Sequence, residues 1–430
     1  MTGRRVRVGL LGCGTVGGAT ARILVEHVDE IARRAGAGVD LVRIAVRDLS
    51  KPRPIDLAPE AWTSDTLSVV DATDVDVVVE TIGGIEPARE LILKAFAAGK
   101  PVVTANKELL STHGQEVMDA ADAAEVDFLF EASVGGGIPI IRPLKESLAG
   151  DHVVRIMGIL NGTTNFILTR MSETGVEFVD ALAEAESLGY AEQDPSADID
   201  GFDAAAKLAI LSSIAFNARV VAGDVQREGI STVSARDIVA AHELGYEIKL
   251  LGVAESQGGT VSARVYPAML PKTHPLAAVR DVFNAVFVQG EEAGELMFFG
   301  RGAGGGPTGS AVVGDVVEIA RNLVTGGRAV GCTCDGSAKM RAAGEIPVRY
   351  YIVLSVADRP GVLSEVAGVF ARHDVSIASV RQEGTADAAT LVAITHTASE
   401  GQHQATFMEL GDLEAVKSVD STLRVEGTAE

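Results

Sequence analysis

The feature that most constrains this chain is its first apolar run, Arg4 to Gly18, R-R-V-R-V-G-L-L-G-C-G-T-V-G-G. Val6 to Leu11 reads as a short buried strand that enters a glycine turn and leaves it as a helix. Gly12, Gly14 and Gly17 stand at G-x-G-x-x-G spacing. The first glycine permits the tight turn, the second lets backbone approach a pyrophosphate, and the third lets helix pack closely on strand. A helix starting near Thr15 then turns unpaired N–H groups and a positive dipole end toward the phosphates. In this strand–turn–helix setting the motif marks the start of a Rossmann unit. It predicts an α/β chain with a parallel sheet.

At 430 residues there is material for about two to four domains. The 47 glycines suit an enzyme with many close backbone approaches, and a net charge of −22 argues against nucleic acid and anionic membrane surfaces as partners. The three cysteines are Cys13, Cys332 and Cys334. One distant thiol and a C-x-C pair make neither a disulfide framework nor a zinc site, so a cytoplasmic setting is expected. No signal-peptide pattern is read near the N-terminus. The two longest uncharged runs, Val8 to Ala21 and Ile156 to Thr169, are too short and too broken to span a bilayer.

A second strand, Val39 to Val46, ends at Arg47. An acidic residue near this point binds a ribose 2′-hydroxyl, whereas an arginine suits a 2′-phosphate. Arg47 therefore favours NADP(H), with Lys51 as a helper, while Asp48 keeps NAD(H) open. Val75 to Thr81 is the next strand and runs into Gly83-Gly84. Another begins at Lys100 and leads to Asn106-Lys107, which places Lys107 at the carboxyl edge of the sheet, toward the ligand crevice. Val126 to Phe130 is followed by Glu131 and the loop Val134-Gly135-Gly136-Gly137-Ile138. Its carbonyl oxygens, with the Glu131 carboxylate, suit a hard monovalent cation. A plain glycine loop opening the helix Ile140 to Leu148 is the alternative.

The pattern changes near Gly150. A strand, Val153 to Leu160, precedes a polar turn, Asn161-Gly162-Thr163-Thr164-Asn165, fit to recognise a polar substrate. The most informative stretch is Gly189 to Leu208, with Glu192, Asp194, Asp198, Asp200 and Asp203 ahead of Lys207. Asp200 is expected to cap the helix that begins at Gly201. Asp203 and Lys207 share a helix face at i,i+4. Alanines flank Lys207 and the run Leu208 to Ala218 carries no charge, so the helix should be buried and its lysine in need of partners. Asp237 to Gly252 reads as a further helix. Gly302 to Gly309 forms a third glycine turn before a helix, Ser310 to Leu323, and Val324 to Pro347 reads as a linker. The remainder, from Arg349, follows the β-α-β-β-α-β order of a ferredoxin-like unit.

G-L-L-G-C-G-T-V-G, T-A-N-K, E-A-S-V-G-G-G-I-P, N-G-T-T-N, G-Y-A-E-Q-D-P-S-A-D-I-D-G-F-D-A-A-A-K and D-R-P-G-V-L together resemble the homoserine dehydrogenase family of the bacterial type with a C-terminal ACT domain. The resemblance covers essentially the whole chain. It implies a Rossmann NAD(P)-binding domain at 1–150 and an α/β substrate and dimerisation domain at 151–300. A segment at 301–330 returns to the nucleotide domain, a linker spans 331–348 and the ACT domain 349–430. It implies reversible reduction of L-aspartate 4-semialdehyde to L-homoserine, a step toward threonine and methionine. Gly12, Gly14, Thr15, Val16, Gly17, Arg47, Thr81 and Lys107 would hold the dinucleotide. Glu131, Val134, Gly136 and Ile138 would hold a sodium ion. Gly162, Glu192 and Asp203 would bind the amino-acid part of the substrate, where the polar turn adds Thr163 and the acidic stretch Asp198, and Lys207 would donate the proton, with Lys107 as rival or electrostatic partner. Threonine as an ACT effector and a homodimer or homotetramer are further implications.

Two other readings stand beside this one. A non-catalytic nucleotide and amino-acid sensor could use the same fold, but would not need Lys107, Glu192, Asp203 and Lys207 together. A phosphorylating semialdehyde dehydrogenase needs a thiol nucleophile in the catalytic domain, where none is expected.

Overall fold

The computed structural model describes residues 4–53, 55–334, 336, 338–384 and 389–427. Its first sheet has six parallel strands. In spatial order they are Trp62–Thr63, Gly38–Ala45, Arg5–Leu11, Val77–Glu80, Val102–Thr104 and Phe128–Leu129. Numbered along the chain this is 3-2-1-4-5-6, the doubly wound order with its switch point between the first and fourth strands. Val77, Val78, Val79 and Glu80 are all buried, as expected of a strand covered on both faces. The helix Gly305–Thr325 returns to this unit and packs on the helix Thr15–Glu26. The approach is close enough that a Cβ at Gly309 would meet Ala19 Cβ at 3.0 Å.

A second, mixed sheet runs in the order Gly294–Arg301, Phe283–Gly290, Val153–Ile159, Tyr246–Gln257, Thr260–Pro271, Val416–Val425, Tyr350–Val356, Ala389–Thr395 and Ile377–Glu383. The helices Gly162–Thr174 and Phe202–Ala215 lie against its middle strands. Its last four strands, with the helices Val362–Arg372 and Glu400–Asp412, form the ferredoxin-like unit in the order 4-1-3-2. That unit has its own apolar core, including Ile352, Leu354, Val369 and Phe370. Its final strand continues the second sheet through Ala268↔Arg424 and Met269↔Val425.

Three expectations change. Asp237 to Gly252 is not one helix: the helix Ala235–Glu243 stops at Gly245, whose φ is +82°, and the strand Tyr246–Gln257 follows. That strand is buried on both faces over Ile248 to Ala254, which removes the alternation that would mark it. The polar run Asn161 to Asn165 is not a free turn but the N-cap and first turn of the helix Gly162–Thr174. Asp200 is exposed and caps nothing; Gly201, at φ +81°, starts the helix Phe202–Ala215. Within the expected linker, Asp335 and Ser337 lie outside the described residues.

Candidate active site

The glycine turn carries the geometry its spacing predicts. Gly12 sits at φ +93°. A Cβ at Gly17 would meet the Gly12 carbonyl oxygen at 2.2 Å, whereas one at Gly14 would meet nothing within 4 Å. Close packing is thus required at Gly17 and open space lies before Gly14, where a pyrophosphate needs room. No side chain caps the helix that starts at Thr15, so its first amides face outward unblocked. Val16 carries on this first turn, its carbonyl taken by Thr20 Oγ1 at 3.0 Å. Thr81 supports the turn from the neighbouring strand, donating from Oγ1 to the Leu11 and Gly12 carbonyls at 3.1 Å each.

In front of the turn lies a cleft of about 550 Å³, lined by Gly12, Gly14, Arg47, Asp48, Arg53 and Thr81 among others. Arg47 is exposed at its rim and Lys51 joins it. The Asp48 carboxylate folds back on its own loop, accepting from Ser50 N at 2.9 Å and Ser50 Oγ at 2.6 Å. Those bonds hold it below the usual carboxylate range. Arg53 was not anticipated. It donates to the Asp48 carbonyl at 2.7 Å and lies 5.6 Å from the Trp62 ring centre, adding a third cation to the rim. The residues present fit a nicotinamide dinucleotide.

Lys107 begins the helix Lys107–Ala123, just after the fifth strand of the first sheet. Asn106 fixes that start: its Oδ1 accepts from Leu109 N at 3.1 Å, and its Nδ2 donates to the Gly84 carbonyl at 2.6 Å. The Lys107 ammonium then reaches across to Asp203 Oδ1. Asp203 stands in the first turn of the helix Phe202–Ala215, and its other oxygen accepts from Lys207 Nζ at 2.7 Å. Lys207 Nζ also donates to the Leu160 carbonyl at 2.7 Å, and the residue is 8 % exposed. One carboxylate therefore holds two ammonium groups, one from each sheet's territory. Burial alone would raise the Asp203 carboxyl, but Lys207 and then Lys107 outweigh it and keep it well below the usual range. For Lys107, burial works against the charge, Asp203 outweighs it, and the ammonium is held above its ordinary value.

Asn161, which sequence reasoning alone does not place in the site, completes the cluster. Its Nδ2 donates to Asp198 Oδ1 at 2.7 Å and Asp203 Oδ2 at 2.9 Å, while its Oδ1 caps the next helix through Thr164 N at 2.9 Å. The N-G-T-T-N pattern carried that signal, since asparagine at an N-cap leaves its amide N–H₂ free to bind a carboxylate. Gly162 lies beneath it, where a Cβ would meet the Val282 carbonyl oxygen at 2.9 Å. Thr163 Oγ1 donates to the Tyr190 carbonyl at 2.7 Å, which ties the 189–200 segment to this helix. Glu192, on that segment, is exposed and makes no side-chain hydrogen bond among the described residues.

The Glu131 carboxylate is buried and accepts three backbone amides: Ile140 at 2.6 Å, Ile141 at 2.8 Å and Arg142 at 2.9 Å. Gly135 and Gly136 have φ +72° and +56°. Among the described residues no hydrogen bond reaches the carbonyls of Val134, Gly136 or Ile138, although all three residues are buried. Carbonyl oxygens left without a hydrogen-bond partner on one loop are the donor type that a hard cation takes.

A doubly wound sheet with an open glycine turn at its switch point, and a lysine–carboxylate–lysine bridge at its edge, defines an NAD(P)-dependent oxidoreductase. Family models match residues 12–131 (homoserine dehydrogenase, NAD binding domain), 139–317 (homoserine dehydrogenase) and 350–420 (ACT domain). The chain is 50% identical to the homoserine dehydrogenase of Corynebacterium glutamicum over 429 residues, covering 99% of this chain and 96% of that one. It belongs to the homoserine dehydrogenase family. Among solved structures, a homoserine dehydrogenase from Thiobacillus denitrificans superposes with a TM-score of 0.93 at 40% identity, covering 99% of both chains. A hyperthermophilic archaeal homoserine dehydrogenase in complex with NADPH gives a TM-score of 0.63 at 30% identity, covering 74% of this chain and 98% of that one. Among the described residues no helix is long and apolar enough to cross a membrane.

Proposed function

We propose that this chain catalyses the reversible reduction of L-aspartate 4-semialdehyde to L-homoserine, with Lys207 as the proton donor and NADPH as the preferred reductant. The observation that carries the reading is the Asp203 carboxylate shared by Lys107 and Lys207 at the junction of the two sheets. Bound in the cleft, the dinucleotide supplies hydride to the aldehyde carbon. The aldehyde oxygen becomes an alkoxide as that bond forms, and the Lys207 ammonium stabilises and protonates it. Asp203 aims Lys207, and Lys107 extends the positive field from the nucleotide side. In the oxidation direction a neutral Lys207 accepts the hydroxyl proton. Gly162, Thr163, Glu192 and Asp198 frame the amino-acid end of the substrate, and Glu192 offers a free carboxylate to its ammonium group.

Arg47, with Lys51 and Arg53, supports a 2′-phosphate at the cleft rim, while Asp48 is spent on Ser50. The loop carbonyls of Val134, Gly136 and Ile138, with Glu131, form the sodium site in this reading. Residues 1–150 serve the nucleotide, 151–300 the substrate and dimer contacts, 301–330 the return to the nucleotide unit, 331–348 the link, and 349–430 the regulatory unit. Threonine is the effector, the assembly a homodimer or homotetramer in the cytoplasm, and the product feeds threonine and methionine synthesis.

The test is loss of NADPH absorbance on adding the semialdehyde to purified enzyme, repeated with NADH and with Arg47→Ala. The wild type should turn over NADPH, and Arg47→Ala should raise KM for NADPH about tenfold while moving that for NADH little, as loss of one charge-assisted contact predicts. No turnover with either nucleotide would favour a sensor. Equal effects on both nucleotides would remove Arg47 from 2′-phosphate recognition.

A further inference from the structure

Two thiols stand outside the chemistry above. Cys332 and Cys334 follow the helix Gly305–Thr325, two residues apart and both half-buried. The Cys334 N–H donates to Cys332 Sγ at 3.3 Å, and the Cys334 S–H donates to the Ser213 carbonyl at 3.1 Å. Lys145 lines the same cleft, its ammonium held by the Val330 carbonyl. Asp122 lies on the other side, accepting from Cys332 N at 3.3 Å, and Arg328 reaches Asp122. The two sulfurs therefore sit in unequal surroundings. Hydrogen bonding from Cys334 and the charge of Lys145 draw Cys332 below the usual thiol range, against burial and Asp122. Its neighbour Cys332 and then burial push Cys334 the other way. A thiolate beside a protonated neighbour is the arrangement of an attacking and a resolving cysteine.

We propose that Cys332 and Cys334 form a thiol–disulfide exchange site for low-molecular-weight disulfides, with Cys332 attacking and Cys334 resolving. The Cys332 thiolate attacks one sulfur of R–S–S–R, forming Cys332–S–S–R and releasing RS⁻. Cys334 gives its proton to that thiolate and attacks Cys332 Sγ, closing the protein disulfide and releasing a second RS⁻. Two protein sulfurs are oxidised by two electrons, and one disulfide is reduced to two thiol equivalents. Closure also removes the S–H that ties this segment to Ser213, on the helix that carries Asp203 and Lys207.

The experiment treats the intact enzyme with hydroxyethyl disulfide at neutral pH and reads peptide masses over time. The wild type should lose two hydrogens on the peptide that holds both cysteines, with Cys13 unmodified. Cys334→Ser should stop at a mixed disulfide on Cys332. Cys332→Ser should react about tenfold more slowly, and Lys145→Met should slow the wild-type reaction. Equal rates for the two serine variants, modification of Cys13 alone, or a wild-type mixed disulfide that never closes would overturn the assignment. Matching thermal melts of both serine variants and the wild type exclude misfolding as the cause.

Discussion

Asp203 is 7 % exposed and stays ionised because an ammonium group reaches each of its oxygens. Asn161 holds the carboxylate at a third point, so Lys107, Asn161 and Lys207 together fix its rotamer. Asn161→Ala deletes that bond and the helix cap. Loss of a hydrogen bond to a charged group predicts a kcat fall of about 10- to 100-fold, with KM for NADPH changed less than about threefold. Steady-state kinetics check this; a variant with wild-type kcat would relieve Asn161 of any positioning role. The Asp203–Lys207 pair was legible in the sequence because i,i+4 spacing on a charge-free helix is a local signal. The Lys107–Asp203 pair was not, since the two residues are 96 positions apart and only the packing of one sheet edge on a distant helix joins them. Arg53 escaped notice because its role depends on the fold of the loop that follows Arg47.

The strand Tyr246–Gln257 shows how an element escapes periodicity. Seven consecutive buried residues leave no polar face to count, and the preceding helix carries the eye forward until Gly245 breaks it. Lys249 sits in that strand at 3 % exposure, donating to the Val279 carbonyl at 2.5 Å and to Asn165 Oδ1 at 3.1 Å. It pins the last residue of the N-G-T-T-N motif against the 279–283 segment. Burial draws its ammonium down to about 8. Between there and its unfolded value the unfolded chain binds more protons than the native state, so this group's contribution to stability rises with pH. Relative to Lys249→Met, the wild type should gain roughly 2 °C in Tm between pH 8 and pH 10. Paired thermal melts at the two pH values measure it, and a Tm difference that does not move with pH would mean Lys249 titrates normally.

Across the whole molecule the two α/β units and the C-terminal unit were legible from element order, because each carries its own glycine turn or apolar core. Their joining was not. The strand Val416–Val425 pairs with Thr260–Pro271, Tyr266 Oη donates to Glu426 Oε1 at 2.5 Å, and Arg155 pairs with Glu426. The ACT unit is thus spliced into the second sheet. Removing residues 350–430 uncovers a strand edge and takes Glu426 away from the buried Tyr266 and from Arg155, which keeps only Glu255. A truncated chain should therefore melt about 10 °C or more below the full chain and elute as mixed species on size-exclusion chromatography. A monodisperse truncated enzyme of unchanged Tm would mean the splice contributes nothing to stability. Threonine titration of the full chain reads regulation without that disruption.

The central claim concerns one proton. Lys207→Met keeps the length of the buried side chain and removes its ammonium. Steady-state reduction of L-aspartate 4-semialdehyde should then show kcat lowered by about 10³-fold, with the semialdehyde KM within about threefold of wild type. An unchanged kcat would contradict the account.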